Sequence, residues 1–403
     1  MATELENVKE ETELEIVKGE ETELEIIKGE ETELVTFKEE EKSQKSKGEK
    51  PKFSKKAKRI MITALAALTG LSATMVASVI IAYDAVFPRY ERPDYAIYPG
   101  DYCYERVKDR LSRDEFYYKT ATSELKGYYY KSTEGKGLVV VVHGFHAGSD
   151  DYLPMIEFFV NNGYNVFSYD CTGTYDSKGE DLVGMCQSVI DLDETLKYIK
   201  KTEPYAGQPL FLIGHSWGGY AVGSVLELQK DIRACACIAP MNSGYTIMQE
   251  KGEQYVGKLA TVGKPVFAAY QKLLFKDYVK CSGVRGVNSV DIPVLIAQGI
   301  DDTIITYDKQ SIMAHKKDIT NPNVIYYEGY GLQGDHNNIW HSKEAAIYQM
   351  EVASALKKME MEKGDKLTRD EKAAYYATIN HSLYSEINPD LFAQILDMFD
   401  KQI

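Results

Sequence analysis

A tight turn around one serine constrains the fold of this chain more than any other feature. From Gly214 the sequence reads Gly-His-Ser-Trp-Gly-Gly, directly after the apolar run 209–213, which is typical of a buried strand. A helix-like stretch, 220–230, follows. A strand joined to a helix by Gly-x-Ser-x-Gly needs small residues at Gly214 and Gly218, because the two elements otherwise collide. Such a turn presents the hydroxyl of Ser216 at the edge of a sheet.

A serine hydroxyl needs a base to become a nucleophile, and the base needs an acid that orients it. The chain supplies candidates for both after the serine. A second buried-type strand ends at residue 299 and is followed by Asp301 and Asp302. A short strand and a glycine-rich loop then lead to His336, and His341 follows closely. The sequence therefore predicts a serine, aspartate and histidine in that chain order, with two candidates each for the acid and the base.

These motifs resemble those of the α/β-hydrolase fold, in proteins of the monoglyceride-lipase and serine-aminopeptidase type. The resemblance covers roughly residues 115–355. It implies a mostly parallel sheet with a helical cap insertion. It also implies Ser216 as nucleophile, Asp302 as acid and His336 as base.

The same resemblance ranks the competing residues. Such families place the acid three residues after the strand-ending glycine, here Gly299, which favours Asp302 over Asp301. Gly-Asp-His fits the family pattern for the base, whereas the rival His341 lies at a predicted helix start. His336 is therefore the preferred base.

Acyl transfer also needs backbone amides that stabilise an oxyanion. One donor in this fold is the amide of the residue after the nucleophile, Trp217. The second is expected from the loop after the apolar run 138–142, where His143-Gly-Phe resembles the family's His-Gly-x motif. The resemblance implies the amide of Phe145 as this donor, and we interpret His143 as a residue that braces the loop.

Neither a metal nor a cofactor is predicted. His143 and His146 are polar enough to be metal ligands, but no third ligand lies at a suitable spacing. The spacing of the six cysteines matches no metal-binding motif. The proposed chemistry needs only protein groups.

One stretch departs from the family pattern. After the next strand the family tends to carry Asp-x-x-Gly…Ser, which Asp170, Gly173 and Ser177 match. Thr172 stands where an arginine is usual, and Tyr175 stands where a second glycine is usual. This departure leaves the subfamily and the substrate open.

The residues before this domain have a different composition. Within residues 1–59, we predict that the ten-residue acidic repeat, up to about residue 42, is a disordered tail and that the lysine-rich part is a basic juxtamembrane segment. Residues 60–83 carry no charge. At about 1.5 Å per residue a helix of this length spans a hydrocarbon core of about 30 Å. We therefore predict a single transmembrane helix over 60–83.

The basic cluster within residues 45–59 predicts the orientation in the cell membrane. Lysine and arginine favour the cytoplasmic side, so the N-terminus is expected in the cytoplasm and the catalytic domain outside it. Tyr83, Phe87 and Tyr90 follow the span, where an aromatic belt belongs. A stripe of small residues predicts weak homodimerisation of the span, although such residues are also common in membrane helices generally. The stripe consists of Ala66, Gly70, Thr74 and Ser78.

The rest of the chain divides into three predicted regions. Residues 84–114 are a linker, and 115–361 form the hydrolase domain with a cap at about 241–290. The alternative for the cap is a set of ordinary helices packed on the sheet. Residues 362–403 are a helical C-terminal extension. The net charge of −14 disfavours nucleic acid as a partner.

The sequence therefore predicts a membrane-anchored serine hydrolase that cleaves carboxylic esters, similar to a lipase, esterase or lysophospholipase. Its expected substrate is a small-molecule or lipid ester. A serine aminopeptidase or an acyltransferase with the same triad is the nearest alternative. A non-catalytic binding protein on the hydrolase fold is the alternative from another class.

Overall fold

The computed structural model describes residues 54–403, except for the side chains at 57, 64–68, 71, 72, 256 and 259. The described residues fall into two units, of which the second, Thr63–Ile403, is compact and the first includes residues 54–62. The central sheet and the candidate site lie in the second unit. The acidic repeat and most of the basic segment, predicted to be disordered, lie outside the described residues.

An eight-stranded sheet forms the centre of the second unit. Its strands are β1 (Asp114–Lys119), β2 (Glu124–Tyr130), β3 (Leu138–Val142), β4 (Asn165–Tyr169), β5 (Leu210–His215), β6 (Ile232–Ile238), β7 (Val294–Gly299) and β8 (Val324–Gly329). Their order is β1-β2-β4-β3-β5-β6-β7-β8. Strand β2 pairs antiparallel with both β1 and β4, whereas β3 to β8 are parallel. The predicted mostly parallel sheet is confirmed.

The described residues form twelve α-helices. They are α1 (Lys55–Asp84), α2 (Tyr104–Val107), α3 (Leu153–Asn161), α4 (Gln187–Ile199), α5 (Trp217–Val225), α6 (Gly244–Val256), α7 (Leu259–Phe275), α8 (Gly283–Asn288), α9 (Lys343–Lys363), α10 (Arg369–Tyr376), α11 (His381–Tyr384) and α12 (Pro389–Asp400). Helices α6, α7 and α8 occupy the region predicted as a cap.

Both faces of the sheet are covered, which explains the continuous apolar runs of its central strands. In β3, Leu138, Val140 and Val142 join one buried cluster with α4 and α5. Val139 and Val141 point to the other face and join a cluster with α3 and α12. Successive side chains of β3 therefore pack into two different cores, one on each face of the sheet.

Helix α12 forms part of the second core. It lies within residues 362–403, the predicted helical extension, and it contributes five buried side chains to the core: Leu391, Phe392, Ile395, Met398 and Phe399. Their spacing places them on one face of the helix. The end of the predicted extension therefore packs against the sheet.

Helix α1 covers the predicted transmembrane segment 60–83. Within the part of the chain that the structure describes, no helix combines the length and the apolar character needed to cross a membrane. The transmembrane helix is therefore not supported. The predicted orientation and cell-membrane location stay predictions, as does the homodimer, whose stripe includes the undescribed side chain of Ala66.

The predicted aromatic belt is wrong for Tyr83 and Phe87, whose side chains are buried in the protein, whereas Tyr90 is partly exposed. Tyr83 and Phe87 are buried, with ring centroids 4.8 Å apart. Tyr83 also meets Tyr270 of α7 edge-on at 5.6 Å. Tyr90 stacks on His146 at 5.0 Å, beside the predicted active site. The segment after α1 is thus held by aromatic packing on the predicted hydrolase domain.

The predicted linker, 84–114, is also held by the C-terminal helices. Arg369 Nε of α10 donates to Asp94 Oδ2 at 2.6 Å. Ser382 Oγ of α11 donates to Asp101 Oδ2 at 2.9 Å. Asp101 also accepts a hydrogen bond of 2.7 Å from Arg110 Nη2. These contacts join two distant parts of the sequence on the same side of the domain.

Candidate active site

The turn between β5 and α5 carries Ser216 in a strained conformation. Its φ of 56° and ψ of −115° are sparsely populated for a residue with a side chain. The flanking glycines make the turn possible, because a Cβ at Gly218 would lie 2.1 Å from the carbonyl oxygen of Val142. A Cβ at Gly214 would lie 2.3 Å from the Gly218 oxygen. The geometry is that of a nucleophile elbow.

The structure brings Ser216, His336 and Asp302 into one hydrogen-bonded chain. Ser216 Oγ lies 2.9 Å from His336 Nε2. His336 Nδ1 lies 2.7 Å from Asp302 Oδ2. With the imidazole proton on Nδ1, the carboxylate accepts from the ring and Nε2 is free to accept from the serine. Both Asp302 and His336 are buried, so water competes little for these bonds.

Asp302 is held by further donors. Its Oδ1 accepts hydrogen bonds of 2.8 Å from the backbone amides of Ile304 and Ile305. Its Oδ2 accepts one of 2.7 Å from Gln298 Nε2. The sequence did not lead us to predict a role for Gln298. A polar residue in the otherwise apolar strand β7 is the feature that could have indicated one. These three donors fix the position of the Asp302 carboxylate.

The rival residues lie elsewhere. Asp301 is exposed and makes no hydrogen bond to His336, and its backbone amide donates to Gly334 at 2.9 Å. The ring of His341 lies between the Tyr102 hydroxyl, 2.9 Å from Nε2, and a backbone carbonyl near Nδ1. Burial lowers the pKa of His341 to about 4. The hydrogen-bonded chain to Ser216 therefore includes neither rival.

The two residues predicted to donate to the oxyanion lie beside the serine. Phe145 and Trp217 are in edge-to-face contact, with ring centroids 5.6 Å apart. A Cβ placed on Gly144 would lie 3.5 Å from Ser216 Cβ, so the loop approaches the nucleophile closely. Neither the Phe145 nor the Trp217 amide donates a hydrogen bond to another described residue. Both donors are thus available to a substrate oxygen.

His143 and His146 occupy different environments. His143 Nε2 accepts a 2.8 Å hydrogen bond from the Cys171 amide, and Nδ1 lies 2.8 Å from the Gly144 oxygen. Burial lowers the pKa of His143 to about 4, which keeps the ring neutral. His146 stacks on Phe145 at 4.0 Å. Among the residues described, no group of three or more potential metal ligands comes together.

The residues that depart from the family pattern make compensating contacts. Thr172 donates from its amide and hydroxyl to the buried Asp191, at 2.7 and 2.9 Å. Tyr175 donates its hydroxyl to Asp151 Oδ2 at 2.5 Å and adopts a φ of 40°. A Cβ on Gly148 would collide with the Tyr175 ring. Tyr175 therefore packs against the end of residues 143–148, the loop predicted to supply the second oxyanion donor and called the oxyanion loop below.

A cavity of about 730 Å³ opens beside Ser216 and His336. Its walls come from the oxyanion loop, from the predicted linker and from the C-terminal helices. The aromatic side chains that line it are Tyr98, Tyr102, Phe145, Tyr152, Trp340, Tyr376 and Tyr384. In the part of the chain that is described, no lining residue comes from 241–290, the predicted cap. Residues 97–102 and the helices α10 and α11 form the walls instead.

Part of the chain is similar in sequence to known peptidases. A model of the serine aminopeptidase family S33 matches residues 133–280. A proline iminopeptidase of Saccharolobus solfataricus is 28% identical over 153 residues, which are 36% of this chain and 47% of the relative. The chain thus spans about half the length of this curated relative.

Similar solved structures include an esterase and a peptidase. An esterase of Pyrococcus furiosus is 19% identical with a TM-score of 0.48, over 68% of this chain and 98% of the esterase. An acylaminoacyl peptidase of Pyrococcus horikoshii is 16% identical with a TM-score of 0.43, over 58% of this chain and 39% of the peptidase. Over residues 133–280, which are less than half of its length, the chain is similar to the serine aminopeptidases of family S33.

Proposed function

We propose that the protein is a serine hydrolase that cleaves carboxylic esters. The observation that carries this proposal is the hydrogen-bonded chain from Ser216 through His336 to Asp302, at 2.9 and 2.7 Å. Two free backbone amides beside the serine, those of Phe145 and Trp217, add the second requirement of acyl transfer.

In the proposed reaction Ser216 Oγ forms a bond to the acyl carbon while its proton moves to His336 Nε2. The carbonyl electron pair moves onto oxygen, where the amides of Phe145 and Trp217 stabilise the negative charge. Asp302 holds the neutral imidazole of His336 in the required tautomer and stabilises the imidazolium that forms. The bond to the leaving alcohol then breaks, and the alcohol takes the proton from His336. Water repeats the sequence on the acyl-enzyme and releases the acid and free Ser216.

The side chains that line the cavity favour an uncharged substrate with a bulky apolar or aromatic group. Seven aromatic side chains line it, and no lysine or arginine is among its described lining residues. Asp151 is the one carboxylate in that lining, and burial raises its pKa to about 6. Above that pH the wall carries a negative charge. We therefore expect anionic esters to be poor substrates compared with neutral esters of the same size.

A peptidase is the second candidate, because the matching family model and the curated relative are both peptidases by description. Peptide and ester hydrolysis use the same triad and oxyanion donors, so the leaving group decides between them. An acyltransferase differs only in the acceptor that replaces water. Matched substrates therefore discriminate these activities better than the triad does.

The test combines covalent labelling with a matched substrate panel. The full chain and its Ser216→Ala variant are treated with a fluorophosphonate probe, and are then given esters and amides that share one acyl group. We expect labelling of the parent alone and a higher kcat/KM for the ester. A higher kcat/KM for an amide with a free N-terminus favours the peptidase, and product transfer to an added alcohol favours the acyltransferase. No labelling and no turnover of any substrate would leave a non-catalytic binding protein.

A further inference from the structure

A buried tyrosine and a buried histidine connect the oxyanion loop to the backbone of the predicted base. The Tyr152 hydroxyl lies 2.9 Å from the Gly144 amide and 2.9 Å from His215 Nδ1. On the other side of the ring, His215 Nε2 lies 3.0 Å from the carbonyl oxygen of His336. Tyr152 and His215 are each 4% exposed. Three hydrogen bonds therefore run without interruption through the interior.

The direction of each bond follows from the groups involved. A carbonyl oxygen only accepts, so the proton of a neutral His215 resides on Nε2 and is donated to His336. His215 Nδ1 then accepts from the Tyr152 hydroxyl. The hydroxyl oxygen accepts in turn from the Gly144 amide. Burial holds the pKa of His215 well below its usual range, which is consistent with this neutral tautomer.

Each end of the chain of bonds belongs to a different part of the site. Gly144 directly precedes Phe145, whose amide is a proposed oxyanion donor. His215 directly precedes Ser216 and occupies the last position of β5. The third contact is to the backbone of His336. The network therefore joins the three segments whose relative positions determine the reaction geometry.

The rings themselves are packed against a common neighbour. Tyr152 stacks on Trp340 with centroids 5.8 Å apart and an interplanar angle of 18°. The ring of His215 lies 6.1 Å from Trp340 and 5.0 Å from the ring of His336. Packing therefore restricts both rings independently of their hydrogen bonds. Removal of one hydroxyl should leave the rings in place.

We propose that Tyr152 and His215 are positioning residues that set the oxyanion loop and the base relative to Ser216. The inference rests on the proposed serine hydrolase function, since it concerns the alignment of groups that act in the transition state. Small errors in such alignment reduce turnover strongly even when the substrate still binds. The Gly144 amide would also lose its buried acceptor without the hydroxyl.

The decisive variant is Tyr152→Phe, which removes one oxygen and retains the ring that stacks on Trp340. We expect kcat to fall about 10- to 100-fold, the range associated with a displacement of about 1 Å, while KM changes less than about 3-fold. A trifluoromethyl ketone inhibitor forms an oxyanion in the site, so its affinity should fall with kcat. The affinity for the product acid, which forms no such oxyanion, should change little.

A matched control separates positioning from a general loss of packing. Tyr118 is also buried, and its hydroxyl makes a 2.7 Å hydrogen bond to Thr195 away from the site. Tyr118→Phe should retain the parent kcat even if its melting temperature falls as much as that of Tyr152→Phe. A second pair tests the histidine. His215→Gln retains an amide that donates and accepts, and should keep more activity than His215→Leu.

The outcomes are distinguishable. A parent kcat in Tyr152→Phe, an equal loss in Tyr118→Phe, or a rise in KM that accounts for the whole effect would overturn the positioning role. Each of these leaves the serine hydrolase proposal intact, because labelling of Ser216 by fluorophosphonate is measured in the same samples. Absence of labelling in the parent chain would remove the proposed function and this inference together.

Discussion

Replacement of Phe399 by alanine tests whether α12 is part of the core of the hydrolase domain. Phe399 is fully buried in this helix. Its ring centroid lies 4.8 Å from Phe211 of β5 and 5.6 Å from Phe159 of α3. Alanine at this position would leave a cavity between the helix and the sheet, since both neighbours are held by other contacts.

The expected cost follows from the complete burial of the ring. Phenylalanine-to-alanine changes in closely packed cores destabilise proteins by about 3–5 kcal/mol. For a domain of this size each kcal/mol lowers the melting temperature by about 2 °C, so Phe399→Ala should melt about 6–10 °C below the parent. The triad lies elsewhere, so fluorophosphonate labelling well below the melting temperature should persist.

Thermal unfolding followed by circular dichroism measures this shift. Gln394→Ala is the matched control, because Gln394 is exposed on the opposite side of the same helix and its removal should cost less than about 0.5 kcal/mol. A melting temperature for Phe399→Ala that equals that of the control would refute the view that α12 belongs to the core.

Three further predictions concern the site and the elbow. Ser216→Ala should abolish fluorophosphonate labelling and lower kcat by roughly 10³- to 10⁶-fold, measured with a neutral ester. Asp302→Asn should lower kcat by about 10⁴-fold, whereas Asp301→Asn should retain most activity, measured in the same assay. Gly218→Ala should destabilise the elbow, because its Cβ would meet backbone oxygen at 2.1 Å. Gly252→Ala, at a helical position with no atom within 4 Å, should raise the melting temperature slightly through a gain of about 0.5–1 kcal/mol.

Each of these predictions has an outcome that contradicts it. Undiminished labelling of Ser216→Ala would place the nucleophile at another residue. Greater damage from the change at Asp301 than at Asp302 would reverse the assignment of the acid. Equal melting temperatures for the two glycine variants would show that the close approach at Gly218 is relieved by a small backbone shift.

The parts of the structure that the sequence predicts well are governed by local rules. The runs 138–142, 209–213 and 293–297 are apolar without interruption, as expected of parallel strands buried on both faces. The elbow is likewise local, because the small residues around Ser216 meet a requirement of the turn itself. The offset from Gly299 to Asp302 reflects the short loop that follows β7.

The features that sequence reasoning missed depend on contacts between distant segments. Tyr83 and Phe87 look like interfacial anchors beside an apolar run, but their rings pack against α7 and the oxyanion loop. No periodicity identifies Tyr376 and Tyr384 as cavity residues, because their role depends on how α10 and α11 dock on residues 94–101. A role for Gln298 could have been predicted, because it is a polar residue in an otherwise apolar strand.

The origin of the cavity walls has a consequence for biosynthesis. Ribosomes make the chain from its N-terminus, so the segments that carry Ser216, Asp302 and His336 are synthesised before α10, α11 and α12. The side of the cavity that holds Tyr376 and Tyr384 is therefore synthesised after Ser216, and the core that α12 completes comes last of all. The second core and this side of the cavity are thus completed together at the end of synthesis, when the last helices dock on segments that were made earlier.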